Sequence, residues 1–338
     1  MSKLVLYQKT LQSIINIPIF IFTPTGQYTD TIGYHPDYEK LTPNDNINLQ
    51  DHSYLIVQDP VFLLYFTQEN VAHSICQLIR SLYEYVQYGQ NRPIVISECI
   101  AHMPFLDLLV KVLFPYAHIE YMKEDILYYF EDVYIPKYIW FTECIPLESI
   151  YDSLNNVRIL QTSGELSPEY NDLYEPLKYF DAKIRDICST FTSTHIHKNI
   201  FMIKTTKCEY NITPSRAITL VEPEVDAVLA QYNYMTMMDP TQYTSCIQVV
   251  QHIYTLRNAE NIITSYGGAN CCNRFFFNPN ANVKVICNKQ YDNEYQQDFH
   301  PRCSAYRAKQ YILLLDMPDT LTGQDITRVI EYKNEKFY

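Results

Sequence analysis

The sequence predicts an α/β protein of two lobes, the second of them Rossmann-like, and three observations support this fold class. Short apolar runs alternate with helical patterns through the second half of the chain, which is typical of βαβ crossovers and a parallel sheet. The first half has the same α/β character with more strand candidates. A polar helical pattern at residues 165–191 would connect the two lobes. We therefore expect an N-terminal α/β lobe at 1–190 and a C-terminal Rossmann-like lobe at 191–338.

The elements of the second half follow from local patterns. Helix 222–232 carries three acidic residues in its first turn, where the helix dipole favours anions. A second helix begins after Ser245, a good N-cap residue, and its apolar positions from Cys246 to Leu256 follow the 3.6-residue period. A short helix is expected at 269–277, with its run of three phenylalanines buried. Strands are predicted at 199–204, 234–238, 261–264 and 283–287.

The first half is predicted by the same criteria. Helices are expected at 70–88 and 104–114, the first with an apolar stripe from Val71 to Val86 and a polar face that includes His73. Strands are predicted at 17–22, 53–57, 62–66, 93–97 and 117–121.

Composition excludes several classes of function. The 338-residue chain has a net charge of -12 and a pI near 5.2, which argues against an extended nucleic-acid surface. Its ten cysteines are scattered without a Cys-x-x-Cys pair, so we expect reduced thiols and no zinc site. No window approaches about 18 uninterrupted apolar residues, so we expect no membrane span. The expected location is cytoplasmic, in a bacterium or in the host cytoplasm if the source is a large DNA virus.

Two adjacent glycines mark a candidate anion site. The chain has only seven glycines, yet Gly267 and Gly268 lie together between a predicted strand and a predicted helix. Glycine lets a phosphate approach the backbone closely, and a helix N-terminus supplies partial positive charge. Asn270 and Asn273 add side-chain donors on the same turn. A tight strand-to-helix turn without a ligand is the competing interpretation, because neither Gly-x-Gly-x-x-Gly nor a P-loop is present.

The motifs around this pair resemble those of glycosyltransferase family 61. In the C-terminal half, Lys204, Arg216 in "PSRAI", the helix and strand "QHIYTLRNAENIIT", and then Gly268, Ala269, Asn273, Phe276 and Pro279 follow the order of the family pattern. In the N-terminal half, Asn70 and His73 match its Asn-x-x-His segment, and "FEDVYIP" is similar to the strand and proline that follow. The resemblance spans residues 55 to 287.

This resemblance implies a GT-B fold, in which two Rossmann-like lobes face a cleft. It also implies an inverting sugar transfer from a nucleotide-sugar, a UDP-sugar being the working expectation, to a glycan or protein acceptor. No metal or other cofactor is expected, and the Asp-x-Asp motif of manganese-dependent sugar transferases is absent from the sequence.

The resemblance also assigns the candidate roles. Lys204 and Arg216 are expected to stabilise the departing nucleotide diphosphate, because a cation must replace the missing metal. Gly267, Gly268, Ala269, Asn270 and Asn273 complete the predicted donor site. His73 is the first choice for the base that deprotonates the acceptor, since a helix N-terminus favours neutral histidine. Glu98, Glu131 and Asp132 are alternatives. His195 and His197 lack nearby ligands and predict no metal site.

Three departures from the family pattern favour a second hypothesis. Gly267 replaces the family's histidine, His252 replaces a glutamine, and Ile286 stands where an acidic residue is common. Loss of a hydrogen bond to the diphosphate would cost about 1.5–3 kcal/mol, or roughly a tenfold to hundredfold in affinity. The alternative is therefore a non-catalytic descendant of the fold that serves as a structural or carbohydrate-binding component. A different Rossmann enzyme with a phosphorylated cofactor is the third possibility.

Overall fold

A computed structural model describes most of the chain and divides it into two compact units. The first unit comprises Met1–Trp140 and Glu175–Lys183, and the second comprises Phe141–Tyr174 and Ile184–Tyr338. The described residues are 2–8, 19–22, 53–64, 71–97, 103–123, 126–134, 136, 147–162, 171–192, 195–203, 218–238, 240–266, 273–288 and 310–332.

The first unit contains a seven-stranded sheet and two of the helices. Its elements are β1 (Ser2–Gln8), β2 (Ile19–Phe22), β3 (Ser53–Val57), β4 (Val61–Leu64), α1 (Val71–Glu84), β5 (Ile94–Ser97), α2 (Pro104–Leu113), β6 (Ile119–Met122) and β7 (Ile126–Tyr134). Strands β7, β4, β5 and β6 are parallel neighbours in that order, and β3 also pairs with β7 in parallel. β1 and β2 continue the sheet antiparallel beyond β7. The chain thus crosses from β4 through β5 to β6 and returns to the other side of β4, which is a Rossmann-like order.

The second unit contains another seven-stranded sheet. Its elements are β8 (Leu147–Asp152), β9 (Val157–Thr162), β10 (Asn199–Met202), β11 (Thr219–Leu220), α4 (Glu222–Gln231), β12 (Tyr234–Thr236), α5 (Cys246–Asn258), β13 (Asn261–Ser265), β14 (Asn282–Asn288), β15 (Gln310–Met317), β16 (Thr320–Leu321) and α6 (Gly323–Glu331). The sheet order is β12-β10-β13-β14-β15-β9-β8, with five parallel strands followed by the antiparallel pair β9 and β8. A separate short parallel pair joins β11 to β16. Helix α3 (Asn171–Thr190) contributes residues to both units.

The prediction of an α/β fold with parallel strands is confirmed. In the second half, the predicted strands correspond to β10, β12, β13 and β14 and the predicted helices to α4 and α5, whereas β11 was not predicted. Of the short helix expected at 269–277, the structure describes residues 273–277, which include a 3-10 turn at Arg274–Phe276. The three phenylalanines Phe275, Phe276 and Phe277 are fully buried, as expected. The domain boundary at residue 190 and the GT-B arrangement of the lobes remain predictions.

Local contacts explain where the helices of the second unit begin and end. At the start of α5, the Gln248 side chain accepts a hydrogen bond from the Ser245 backbone N–H, at 3.1 Å. At the start of α6, Thr322 and Asp325 exchange hydrogen bonds between side chain and backbone. At its end, the Lys284 ammonium on β14 donates to the Val329 carbonyl at 2.8 Å. This cation satisfies a terminal carbonyl and complements the helix dipole, so it ties α6 to the sheet.

The helices α4 and α6 cover one face of the second sheet. Val225 and Leu229 of α4 and Ile326 and Val329 of α6 share one buried cluster with strand residues such as Ile263. Because β10-α4-β12 and β12-α5-β13 add strands on opposite sides of β10, right-handed crossovers place α4 and α5 on opposite faces. Among the described residues, no helix combines the length and apolarity that crossing a membrane requires.

A close approach of the backbone makes Gly89 a sensitive position in the first unit. Gly89 ends a π-helical turn, Tyr85–Gly89, that extends α1. A Cβ atom here would lie 2.6 Å from Cδ2 of Phe62 and 2.7 Å from Cδ2 of Tyr85, and both rings are buried. We expect Gly89→Ala to lower the free energy of unfolding by about 1–3 kcal/mol. Urea-induced unfolding of the variant and of the unmodified protein measures this difference in free energy.

The neighbouring exposed Gln90 provides the control for this substitution. Gln90→Ala should change the free energy of unfolding by less than about 0.5 kcal/mol. Equal stability of Gly89→Ala and the unmodified protein would show that the two rings move apart without cost.

Candidate functional site

The parallel part of the second sheet reverses its strand order at one point. From β10 the chain first adds β12 on one side and then β13 on the other, after which β14 and β15 continue outward. Counted along the chain, this order is 2-1-3-4-5. In open α/β sheets, ligands bind in the crevice beyond the carboxyl ends of the two strands at such a switch point. The candidate site is therefore the crevice at the carboxyl ends of β10 and β13, which we call the switch-point edge.

The predicted donor-site residues follow these two strands in the sequence. Lys204 comes directly after Ile203, at the end of β10, and Gly267 comes directly after Tyr266, at the end of β13. The residues themselves lie outside the described part of the chain: Lys204, Arg216, Gly267, Gly268, Ala269 and Asn270. Among the predicted donor-site residues, Asn273 alone is described.

Asn273 belongs to a buried hydrogen-bonded network in the second unit. Its Oδ1 lies 2.6 Å from Nε2 of His252, and Nδ1 of the same ring lies 2.8 Å from the Tyr243 hydroxyl. All three side chains are buried. Because a carbonyl oxygen only accepts hydrogen bonds, His252 donates through Nε2–H and accepts the Tyr243 hydroxyl at Nδ1. The network holds the Asn273 carboxamide in one orientation.

Burial keeps this histidine neutral. The loss of hydration lowers the pKa of His252 from 6.5 to about 4, and the hydrogen bond with Asn273 opposes the shift only in part. At neutral pH His252 therefore supplies hydrogen bonds and no charge.

Two further features of the second unit were not predicted from the sequence. The Arg274 guanidinium is buried and lies 4.6 Å from the centre of the Phe275 ring, in the turn directly after Asn273. Polar side chains are also buried at the last residues of β13 and β14, namely Thr264, Ser265 and Asn288. Buried polar groups in a sheet otherwise lined by apolar residues indicate a surface used for more than packing. These polar residues share a position at the end of a strand. The sequence could have revealed them only if the strand boundaries had been known.

Of the candidate bases in the first unit, the structure describes the side chain of Asp132 alone. His73 is the third residue of α1, but its side chain and that of Glu131 are not among those that the structure describes. Glu98 also falls outside the described residues. Asp132 forms a two-point ion pair with Arg92, with Nη1 to Oδ1 at 3.0 Å and Nη2 to Oδ2 at 3.4 Å. This pairing gives Asp132 a structural role and makes it a weaker candidate for a base.

His195 and His197 are exposed residues before β10. Within the described ranges, no group of three or more His, Cys, Asp or Glu side chains is arranged to hold a metal ion. Buried thiols are also unreactive here, since burial raises the pKa of Cys287 to about 12.

Comparison with known proteins finds neither a matching protein-family model nor a matching curated protein. The functional assignment therefore depends on the site itself and on the sequence motifs.

Proposed function

We propose that the protein is an inverting glycosyltransferase that moves a sugar from a nucleotide-sugar, a UDP-sugar in the first instance, to a glycan or protein acceptor. The observation that carries this proposal is the strand order of the second sheet. Its switch point lies between β10 and β13, the two strands that Lys204 and the glycine pair follow in the sequence. A phosphate group at this edge would meet backbone N–H groups and a cation.

The proposed donor site uses charge in place of a metal ion. Lys204 and Arg216 would stabilise the diphosphate as negative charge develops on the leaving group. The glycines Gly267 and Gly268, with Ala269 and Asn270, would let the diphosphate approach the backbone. Asn273 would donate from its carboxamide in the orientation that His252 maintains.

The acceptor is assigned to the first unit by the same resemblance. Both units contain parallel strands in a doubly wound order, which supports a GT-B arrangement with the acceptor unit facing the donor unit. His73, near the N-terminus of α1, would deprotonate the acceptor hydroxyl on the face of the sugar opposite the leaving nucleotide. This geometry inverts the anomeric centre.

A non-catalytic sugar-nucleotide or carbohydrate-binding protein is the second candidate. The observation that favours it is Gly267, which stands where the resembling family has a histidine. Such a protein would retain the switch-point edge for binding but would not release the sugar.

Thermal unfolding of the full-length protein with UDP, GDP, CMP, UDP-sugars, GDP-sugars and NAD tests the donor site. We expect UDP or a UDP-sugar to stabilise the protein by about 2.7 kcal/mol at a hundred times its dissociation constant, with and without a chelator. Arg216→Ala should abolish this stabilisation, whereas Arg328→Ala, at an exposed arginine of the same unit, should preserve it. Failure of every nucleotide at millimolar concentration would contradict the proposal.

Turnover of the stabilising UDP-sugar then separates the two candidates. An enzyme should hydrolyse or transfer the sugar, and His73→Ala should reduce this rate by about 10²–10⁴-fold with donor affinity unchanged. Donor binding without sugar release would favour the non-catalytic protein.

A further inference from the structure

A carboxylate is fixed at the same edge of the second sheet, two strands away from β13. Asp319 lies between the carboxyl end of β15 and β16. Its Oδ1 accepts a hydrogen bond from Nδ2 of Asn288 at 2.9 Å, and its backbone carbonyl accepts from the Thr219 N–H at 2.8 Å. Asn288 is the last residue of β14 and is buried, whereas Asp319 is exposed. A buried amide thus orients an exposed carboxylate.

The second oxygen of this carboxylate is the candidate ligand contact. Asn288 donates to Oδ1, and among the described residues no group donates a hydrogen bond to Oδ2. An ionised carboxylate is purely an acceptor, and its two oxygens together offer about four acceptor positions. Hydroxyl groups are its natural ligands, whereas phosphate oxygens would be repelled.

The position of Asp319 fits the length of a nucleotide-sugar. Neighbouring strands are about 4.8 Å apart, so the carboxyl end of β15 is about 10 Å from that of β13 along the edge. A diphosphate at β10 and β13 would leave its attached sugars to extend over this distance. Thr219, which bonds to Asp319, comes three residues after Arg216 in the sequence.

We propose that Asp319 binds a pair of neighbouring hydroxyl groups on the nucleotide-sugar, either on the ribose or on the transferred sugar, and that Asn288 positions it. This inference rests on the proposed function, since it assumes a donor at the switch-point edge. In dinucleotide-binding folds a carboxylate at a strand end also binds ribose hydroxyls, because an ionised carboxylate accepts their hydrogen bonds. Hydrogen bonds from hydroxyl groups to the Asp319 carboxylate are charge-assisted and therefore strong. Asp319 thus selects ligands that present both hydroxyl groups.

Asp319→Asn tests the inference with little change in shape. Calorimetric titration should compare UDP, 2′-deoxy-UDP, a UDP-sugar and pyrophosphate with each protein. If the ribose is the ligand, the unmodified protein should prefer UDP over 2′-deoxy-UDP by at least tenfold, and Asp319→Asn should lose this preference. If the transferred sugar is the ligand, Asp319→Asn should weaken the UDP-sugar by at least tenfold and leave UDP unchanged. Pyrophosphate binding should not weaken in either case.

Asp316→Asn is the matched control. Asp316 is an exposed carboxylate at the end of the same strand, and the Asn156 side chain donates a hydrogen bond to it. Its φ of 54° is left-handed, a conformation that asparagine also accepts. This variant should bind every ligand as the unmodified protein does.

The outcomes separate this inference from the proposed function. Unchanged affinities and preferences in Asp319→Asn, together with nucleotide binding by the unmodified protein, would overturn the role of Asp319 and leave the donor site standing. An unmodified protein that binds no nucleotide would overturn both.

Discussion

Arg80→Met should lower the free energy of unfolding by about 3 kcal/mol, because it removes the cation from a buried ion pair. The Arg80 guanidinium bonds to the Glu84 carboxylate one turn later on α1, and their side chains are only 15% and 4% exposed. Glu84 also accepts the Tyr134 hydroxyl of β7 at 3.1 Å. Burial and the Glu84 charge together raise the pKa of Tyr134, so this hydroxyl stays protonated and keeps donating. After the substitution, the buried Glu84 carboxylate would keep the Tyr134 hydrogen bond but would lose the cation beside it.

Two comparisons make the result specific to burial. Lys198→Met breaks an ion pair with Glu260 whose side chains are 55% and 58% exposed, and it should cost less than about 1 kcal/mol. The double substitution Arg80→Met with Glu84→Met removes both charges and should be more stable than Arg80→Met alone. Chemical denaturation of the four proteins measures these differences. A loss below about 1 kcal/mol for Arg80→Met would mean that Glu84 is hydrated or otherwise compensated.

Acidification should destabilise the protein through His252, and His252→Gln should remove that part of the effect. The pKa of His252 is 6.5 in the unfolded chain and about 4 in the buried network. Between these values the unfolded chain binds a proton that the folded protein does not, so stability falls as the pH decreases. The contribution is fully present above about pH 6.5 and is lost progressively to about pH 4, a total of about 3 kcal/mol.

Glutamine is the matched replacement because it donates and accepts hydrogen bonds without titrating in this range. Its amide can donate to Asn273 Oδ1, the acceptor that His252 now uses. Unfolding free energies of both proteins should be measured at pH 7, 5.5 and 4.5, and the gap between them should change in favour of His252→Gln as the pH falls. If the two proteins lost the same unfolding free energy as the pH falls, burial would not lower the pKa of His252 and the prediction would be wrong.

The local elements could largely be predicted because their signals are contained in short segments. The Ser245 and Gln248 pair that begins α5, the acidic first turn of α4 and the apolar runs of β10 and β13 all act over a few residues. The position of the glycine pair directly after a strand was available for the same reason. So was the expectation that the three phenylalanines pack in the core, since aromatic burial is a strong and local tendency.

Several elements that were not predicted depend on partners distant in sequence. The strands β8, β9 and β15 were not predicted, and β9 pairs antiparallel with β15 about 150 residues later in the chain. Asn288 belongs to the candidate edge because β14 ends there, and no short motif marks this residue. Asp319 likewise gains its partner Asn288 through the neighbouring positions of β14 and β15.

Short-range sequence thus specified that this is an α/β protein in which a glycine pair follows β13 in the sequence and a buried aromatic run comes after it. The order of the strands, and with it the switch point between β10 and β13, came from the folded chain. The physical reason is that hydrogen-bonding groups are the same on every strand, so pairing is decided by how whole faces pack and how crossovers close. Side chains such as His252, Asn273 and Asp319 acquire their neighbours, burial and hydrogen-bond geometry only after that choice is made.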